Sequence, residues 1–259
     1  MLIKQQASES GHWYAKDGTP AYEVQAKDGT MRGTTLRDAR KLGLFPSVTT
    51  VLQVLAKPGL EQWKLQNTIL AAMTLPRIEG ESLDDFAARV IIDSKAQAQQ
   101  AAQLGTDIHA SLDKAYSGLP YAQEHDVYVK AVQEAIFLKY GAKPWIAEKS
   151  FSNPLGYGGK VDLACPDVVI DFKTSSFDQE KVDKKQVGGY DEHLMQLAAY
   201  SVGLGFTNAK LANVYVSTSV PGLVYIKEYD KEDSINGYGM FSLALKLWQI
   251  SKRYVPCST

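Results

Sequence analysis

Gly159-Lys160-Val161-Asp162-Leu163-Ala164-Cys165-Pro166-Asp167-Val168-Val169-Ile170-Asp171-Phe172-Lys173 is the stretch on which the rest of the chain is organised. Two short apolar runs, Val161 to Ala164 and Val168 to Ile170, flank Cys165-Pro166-Asp167, and apolar runs bounded by turn residues predict paired strands. Side chains alternate faces along a strand, so Asp171 and Lys173 share one face while Phe172 takes the other. A hairpin brings Asp162 beside them. Two carboxylates next to a lysine, rooted in apolar strands, are expensive to bury unless paired or bound to a cation, and a hard metal ion meets that need. Such a site polarises a phosphate and activates water, with the lysine steadying the charge of the transition state. The bare Asp-x-Lys triplet fits equally well an ordinary solvated ion pair at a strand exit, with Asp162 capping a turn.

The full pattern is narrower than the triplet. A glycine pair precedes a carboxylate in an apolar strand, and a turn and a wholly apolar strand lead to Asp and Lys two apart. Gly158-Gly159-Lys160-Val161-Asp162-Leu163, followed by Val169-Ile170-Asp171-Phe172-Lys173-Thr174, resembles the core of the PD-(D/E)XK nucleases and, within them, the RecB-type exonuclease branch. That resemblance implies an α/β fold with a restriction-endonuclease-like core: a central mixed sheet flanked by helices, here with an elaborated helical N-terminal half. It also implies cleavage of nucleic-acid phosphodiesters with Mg²⁺ or Mn²⁺. Asp162 and Asp171 would be metal ligands and Lys173 an electrostatic or water-orienting group. The proline that often precedes the first acid in this varied family is missing before Asp162.

Composition sets outer limits. At 259 residues the chain is long enough for one full domain with a large core. Its 28 Lys plus Arg against 29 Asp plus Glu give a formal charge of -1, which argues against clamping duplex DNA through a strongly basic surface. Its two cysteines, Cys165 and Cys257, lack metal-site spacing and a disulfide framework. Neither an 18-residue apolar run nor a signal-peptide pattern occurs, so the expectation is a soluble cytoplasmic protein with no membrane partner (host cytoplasm if phage-encoded).

From the N-terminus, KDGT occurs twice, at Lys16 to Thr19 and Lys27 to Thr30, and Asp-Gly predicts hairpin turns in a small antiparallel ribbon from Trp13 to Met31. Thr35 to Leu42 predicts a short helix ending near Gly43. Residues 1–45 thus read as a ribbon and short helix extending a main domain of residues 46–259. Ser47 or Thr49 can cap a segment from Thr50 to Leu55, and Pro58-Gly59 breaks it before a helix around Leu60 to Met73. Trp63 reads as core. Ser82 to Gln103 is strongly helix-forming; Gly105 interrupts it, and Thr106 caps a following helix with Ile108, His109 and Leu112. Tyr121 to Tyr140 predicts another helix, and Trp145 to Phe151 a strand carrying Glu148, joined to the Asp162 strand through Asn153-Pro154-Leu155-Gly156. Glycines at 158 and 159 permit a close backbone approach, here of a passing phosphate chain. Lys160 fits either a backbone contact or an ordinary edge lysine. Thr174-Ser175-Ser176 carry phosphate-binding hydroxyls, and Asp178 to Lys185 reads as a mobile loop. Gln196 and Tyr200 lie one helical turn apart on one face. Strands from Ala212 to Ser217 and Val224 to Lys227 precede a helix from about Gly239 to Lys252, with Leu243 among its packing residues.

Several of these segments add to the resemblance, in family order. Phe45 to Leu52, followed by Leu60 and Trp63, is similar to the helical entry of phage and mitochondrial RecB-type exonucleases, near the path of a single strand. It implies that Ser47, Thr49 and Thr50 touch the nucleic-acid backbone, although helix capping would use the same hydroxyls. Gly105-Thr106-Asp107-Ile108-His109 resembles the helix motif supplying a metal-ligating histidine. Gln196-x-x-x-Tyr200 resembles the signature that lines the site, and Glu148 matches an acid in an earlier strand that tunes the metal. The implied inner shell is His109, Asp162, Asp171 and the Phe172 carbonyl, with manganese tolerating the imidazole more readily than magnesium. Lys160, Thr174, Gln196 and Tyr200 complete the nucleic-acid contacts.

The resulting expectation is a metal-dependent deoxyribonuclease, an exonuclease acting on DNA ends or single strands in replication, recombination or DNA degradation. Asp171→Ala and Lys173→Ala should each abolish most cleavage and leave the fold largely intact. Two other classes stay open: a catalytically weak nucleic-acid-binding accessory, and a structural partner in a recombination complex whose acids and lysine form only an ion-pair network.

Overall fold

The structure is a computed structural model and describes residues 11–256, excluding the side chains of Gln97, Ala98 and Ala101; Cys257 and the tail after it lie outside. Five strands form the central sheet: β5 (Ile146–Asn153), β6 (Tyr157–Cys165), β7 (Val168–Ser175), β8 (Lys210–Ser217) and β9 (Val224–Tyr229), in that spatial order. All neighbours are antiparallel except β7 and β8, which run parallel, so the sheet is mixed. The parallel pair needs a crossover, and the chain between them supplies α6 (Gln179–Asp183) and α7 (Asp191–Leu204). The molecule is therefore the expected α/β architecture of a mixed sheet flanked by helices.

Helices cover both faces. Against one face lie α7, α8 (Lys231–Lys252) and the short α2 (Val48–Leu52), around Leu197, Phe241, Trp248 and Val51. Against the other lie α4 (Leu83–Tyr116) and α5 (Asp126–Tyr140), around Ile108, Leu112, Val129, Val132 and Ile136. Among the described residues no helix is long and apolar enough to cross a membrane. Cys165 is buried and free.

The N-terminal segment has both predicted turns, each closed by an aspartate accepting from the threonine amide two residues on: Asp17 to Thr19 at 2.9 Å and Asp28 to Thr30 at 3.1 Å. The ribbon, however, is divided. β2 (Glu23–Gln25) pairs with β3 (Met31–Gly33), whereas β1 (Trp13–Tyr14) pairs with β4 (Phe45–Pro46) and puts Trp13 into the core beside Trp248. Apolar burial of that indole outweighs a local pairing. Between β3 and β4, α1 (Leu36–Leu42) starts at a Thr35–Asp38 capping box and stops at left-handed Gly43, as predicted.

Other boundaries differ from expectation. The chain is broken between α2 and α3 (Pro58–Thr74) as expected, but Pro58 itself opens α3 at its first turn, two residues before Leu60, since the amide it lacks has no helical partner there. Trp63 is not core: it is 43% exposed. Gly105 does not interrupt α4, which runs 34 residues, and the Thr106 hydroxyl bonds back to the Ala102 carbonyl instead of capping. Asp107 accordingly sits mid-helix, bonded to Gln103. A Cβ on Gly105 would collide with the Thr174 hydroxyl, so this glycine lets α4 lie close on β7. The stretch after Asp178 is not loop but α6, capped by that aspartate. α8 begins at a capping box of Asp230 and Asp233, eight residues before Gly239, and its Leu243 is exposed.

Candidate active site

The site forms where the sheet stops being regular. The β6–β7 ladder ends at Leu163 and Ile170, so the residues beyond, Asp162 and Asp171, are not paired with each other through the backbone. Alternation also slips there. Val161 packs in the core under α7 and Leu163 in the core under α4, although residues two apart in a strand should share a face; Phe151 and Ala147 of β5 divide the same way. The switch falls on Asp162 and on Glu148 opposite it. Glu148 has φ 52°, a left-handed conformation costing roughly 1 kcal/mol or more for a residue with a Cβ. The twist opens a cleft of about 270 Å³ lined by Thr106, His109 and Asp113 of α4, Glu148, Lys160 and Asp162 of the hairpin, and Phe172.

Asp162 bridges the parted strands with its side chain, Oδ2 accepting from the Phe172 amide at 2.7 Å. Burial, and next the charge of Asp171, push its carboxyl up to about 7, against the smaller pull of Lys173 and Lys160. Asp171, 2% exposed, accepts from Gln196 Nε2 at Oδ1 (2.9 Å) and from Asn213 Nδ2 at Oδ2 (2.9 Å). Lys173 Nζ lies 2.7 Å from the same Oδ2 and donates to Gln196 Oε1 at 3.0 Å. Gln196 Nε2 also donates to the Tyr200 hydroxyl at 2.9 Å. The expected one-turn spacing thus places Gln196 and Tyr200 together against Asp171, and burial raises the Tyr200 hydroxyl well above its ordinary range.

His109 lines the cleft edge-on to the Phe172 ring, at 6.3 Å between centroids. Burial lowers its pKa, with Asp171 opposing, so the neutral imidazole, the ligating form, is favoured. The donor types therefore suit a divalent ion. Yet no three His, Cys, Asp or Glu side chains among the described residues converge closely enough to hold one. Protein donors occupy Asp171, and the Phe172 amide occupies one oxygen of Asp162.

Most other expected contact residues have partners within the protein. The Ser47 hydroxyl caps α2 by accepting the Thr50 amide, and both side chains are buried and bonded to each other; of the three entry hydroxyls only Thr49 is exposed. Gly158 and Gly159 serve internal packing: a Cβ would meet the Tyr14 ring at 2.8 Å from Gly158 and the Tyr200 ring at 2.8 Å from Gly159. Thr174 is half-buried toward Gly105, and Lys160 forms an ion pair with Glu148. Asn213, Tyr229 and Asp113 were not anticipated. Asn213 did leave a signal, an amide in the apolar run Leu211 to Val216; Asp113, four residues after His109 on one helix face, left none beyond its spacing.

No protein-family model matches the chain, and no curated protein matches it. Among solved structures, it is similar to an alkaline exonuclease (LHK-Exo) from Laribacter hongkongensis at 14% identity and a TM-score of 0.42, over 83% of this chain and 92% of that one. The same exonuclease in complex with dAMP aligns at 15% identity and a TM-score of 0.36, over 73% and 88%. A phage-related exonuclease from Haemophilus somnus 129PT aligns at 16% identity and a TM-score of 0.29, over 73% and 95%. Likenesses of this size leave the chemistry to be argued from the cleft itself.

Proposed function

We propose that the chain is a metal-dependent nuclease hydrolysing DNA phosphodiester bonds, an exonuclease for ends or single strands. One observation carries the reading: Asp162, Asp171, Lys173, Gln196 and Tyr200 meet where β6 parts from β7, beside a cleft that His109 also lines. Ordinary strand pairing has no use for two adjacent carboxylates there, one of them raised to about 7. Asp162, Asp171, His109 and the Phe172 carbonyl have the chemistry to hold Mg²⁺ or Mn²⁺, with Glu148 acting through water. When bound, the ion would supply a polarised phosphate oxygen and an acidified water. Lys173, anchored on Asp171 and Gln196, brings a positive charge toward the phosphoryl oxygens. Gln196 holds Lys173, Asp171 and Tyr200 in one geometry, and the exposed Thr49, with Lys160 on release from Glu148, contacts the DNA backbone. Replication, recombination or DNA degradation in the cytoplasm are the settings such an activity serves.

The test compares wild type, Asp171→Asn and Lys173→Met on end-labelled linear and covalently closed DNA, single- and double-stranded, with Mg²⁺, Mn²⁺ or EDTA. Each variant should lose at least about a hundredfold in rate, and cleavage should need an end. Asparagine replaces the simpler alanine because Asp171→Ala would leave the Asn213 and Gln196 donors buried without an acceptor, disturbing the fold. Metal-independent cleavage, or full activity in both variants, would defeat the mechanism.

The engagement of both carboxylates by protein donors favours one second reading, a nucleic-acid-binding accessory or recombination-complex partner in which these residues form a permanent ion-pair network. DNA binding without turnover in any metal would support it.

A further inference from the structure

We propose that Asn213 is a positioning residue that aims the Asp171 carboxylate, held in its own orientation by Tyr229; this rests on the nuclease reading above. Asn213 lies in β8 directly in register with Asp171 on β7 and is 0% exposed. An amide buried in an apolar strand costs roughly 1–3 kcal/mol unless both its ends are bonded, and here both are. The Tyr229 hydroxyl donates to Oδ1 at 2.9 Å, which leaves Nδ2 facing Asp171 Oδ2 at 2.9 Å. Only the oxygen of an amide accepts, so the tyrosine decides which end meets the carboxylate. On the same side of the sheet the Tyr215 hydroxyl lies 2.9 Å from His193 Nδ1 of α7.

Asp171 is thereby gripped by two amides, Gln196 from α7 on Oδ1 and Asn213 from β8 on Oδ2. Lys173 competes for that second oxygen at 2.7 Å. Gln196 is on Oδ1 and Lys173 already on Oδ2, so without Asn213 the second oxygen is held by the ammonium alone and the plane of the carboxylate toward a cation is no longer fixed from β8. Asn213 does not line the cleft, so it acts through Asp171 and does not touch substrate.

The experiment measures kcat, KM, calorimetric Mn²⁺ binding to the free protein and urea midpoints for wild type, Asn213→Ala, Tyr229→Phe and the double variant. Asn213→Ala should lose about tenfold to a hundredfold in kcat and in Mn²⁺ affinity, the range over which partners of metal ligands act, with KM within about threefold. Tyr229→Phe should show a smaller loss of both, and the double variant should be no worse than Asn213→Ala, because the tyrosine works through the amide. A purely structural Asn213 would move the urea midpoint and leave Mn²⁺ affinity alone. Should Asn213→Ala fail to fold, Tyr229→Phe, which removes one oxygen, decides the matter alone. Folded variants with unchanged kcat and Mn²⁺ affinity beside an active wild type overturn this inference only; a wild type that cleaves nothing in any metal overturns the nuclease reading with it.

Discussion

Asp162→Asn should make the protein more stable above neutral pH, and the gain should vanish in acid. In the native state the carboxyl titrates near 7, because burial and then Asp171 oppose its charge. Unfolded, it returns to about 3.8. Between these values the native state binds more protons than the unfolded one, so stability falls as pH rises through the window and levels off above 7. The full shift corresponds to on the order of 4 kcal/mol. Asp162 lines an open cleft, and solvent screening brings the working figure to about 2 kcal/mol. Asparagine removes the charge and keeps an oxygen for the Phe172 amide. Its advantage at pH 8 should therefore be about 2 kcal/mol, or roughly 4–8 °C in melting temperature for a chain of this size, and near zero at pH 4. The titratable groups around the carboxyl, Asp171, Lys173, Lys160, Glu148 and His109, stay in both proteins. Urea titrations of both proteins at unit pH steps from 4 to 8 measure it, with and without Mn²⁺. An asparagine advantage that is flat in pH, or that grows toward acid, refutes the electrostatic account of the site.

Lys173→Met leaves Asp171 without its ammonium and should cost roughly 3 kcal/mol at pH 7, read from the urea midpoint, while raising the apparent pKa of Asp162 further. Gly105→Ala should destabilise by roughly 1–3 kcal/mol despite alanine's better helix propensity, and adding Thr174→Ala should restore the loss, because the Thr174 hydroxyl is the atom met. Ser47→Ala should cost about 1 kcal/mol through the lost cap of α2 with no change in KM for DNA; a KM change without a stability change would return Ser47 to the substrate path.

The hairpin of β6 and β7 and the pair Gln196 and Tyr200 were legible because each is local: two apolar runs about a turn, and one helical turn. The unbroken α4 was not. Glycine's penalty of about 1 kcal/mol in a helix looks decisive in sequence, but it is offset by packing against Thr174, a residue far along the chain. Ser47 and Thr50 show the opposite failure, since a capping hydroxyl and a phosphate-binding hydroxyl have the same sequence signature. Burial separates them, and burial depends on the pairing of β1 with β4.

Asp162 and Asn213 mark the boundary most sharply. Both are polar residues in apolar strands, and the same reasoning about buried polar groups applies to each. Asp162 is conspicuous in sequence because a carboxylate is costly almost anywhere in a core, although a turn cap would also account for it. An amide is satisfied by any two partners, and which two depends on the register of β8 with β7 on one side and with β9 on the other. The same dependence hides the switch of faces at Asp162. Val161 and Leu163 are both apolar, so a strand buried on both sides shows no alternation that could be seen to break. The carboxylate reaches the cleft only because the ladder ends beside it, and the end of a ladder is a property of two strands.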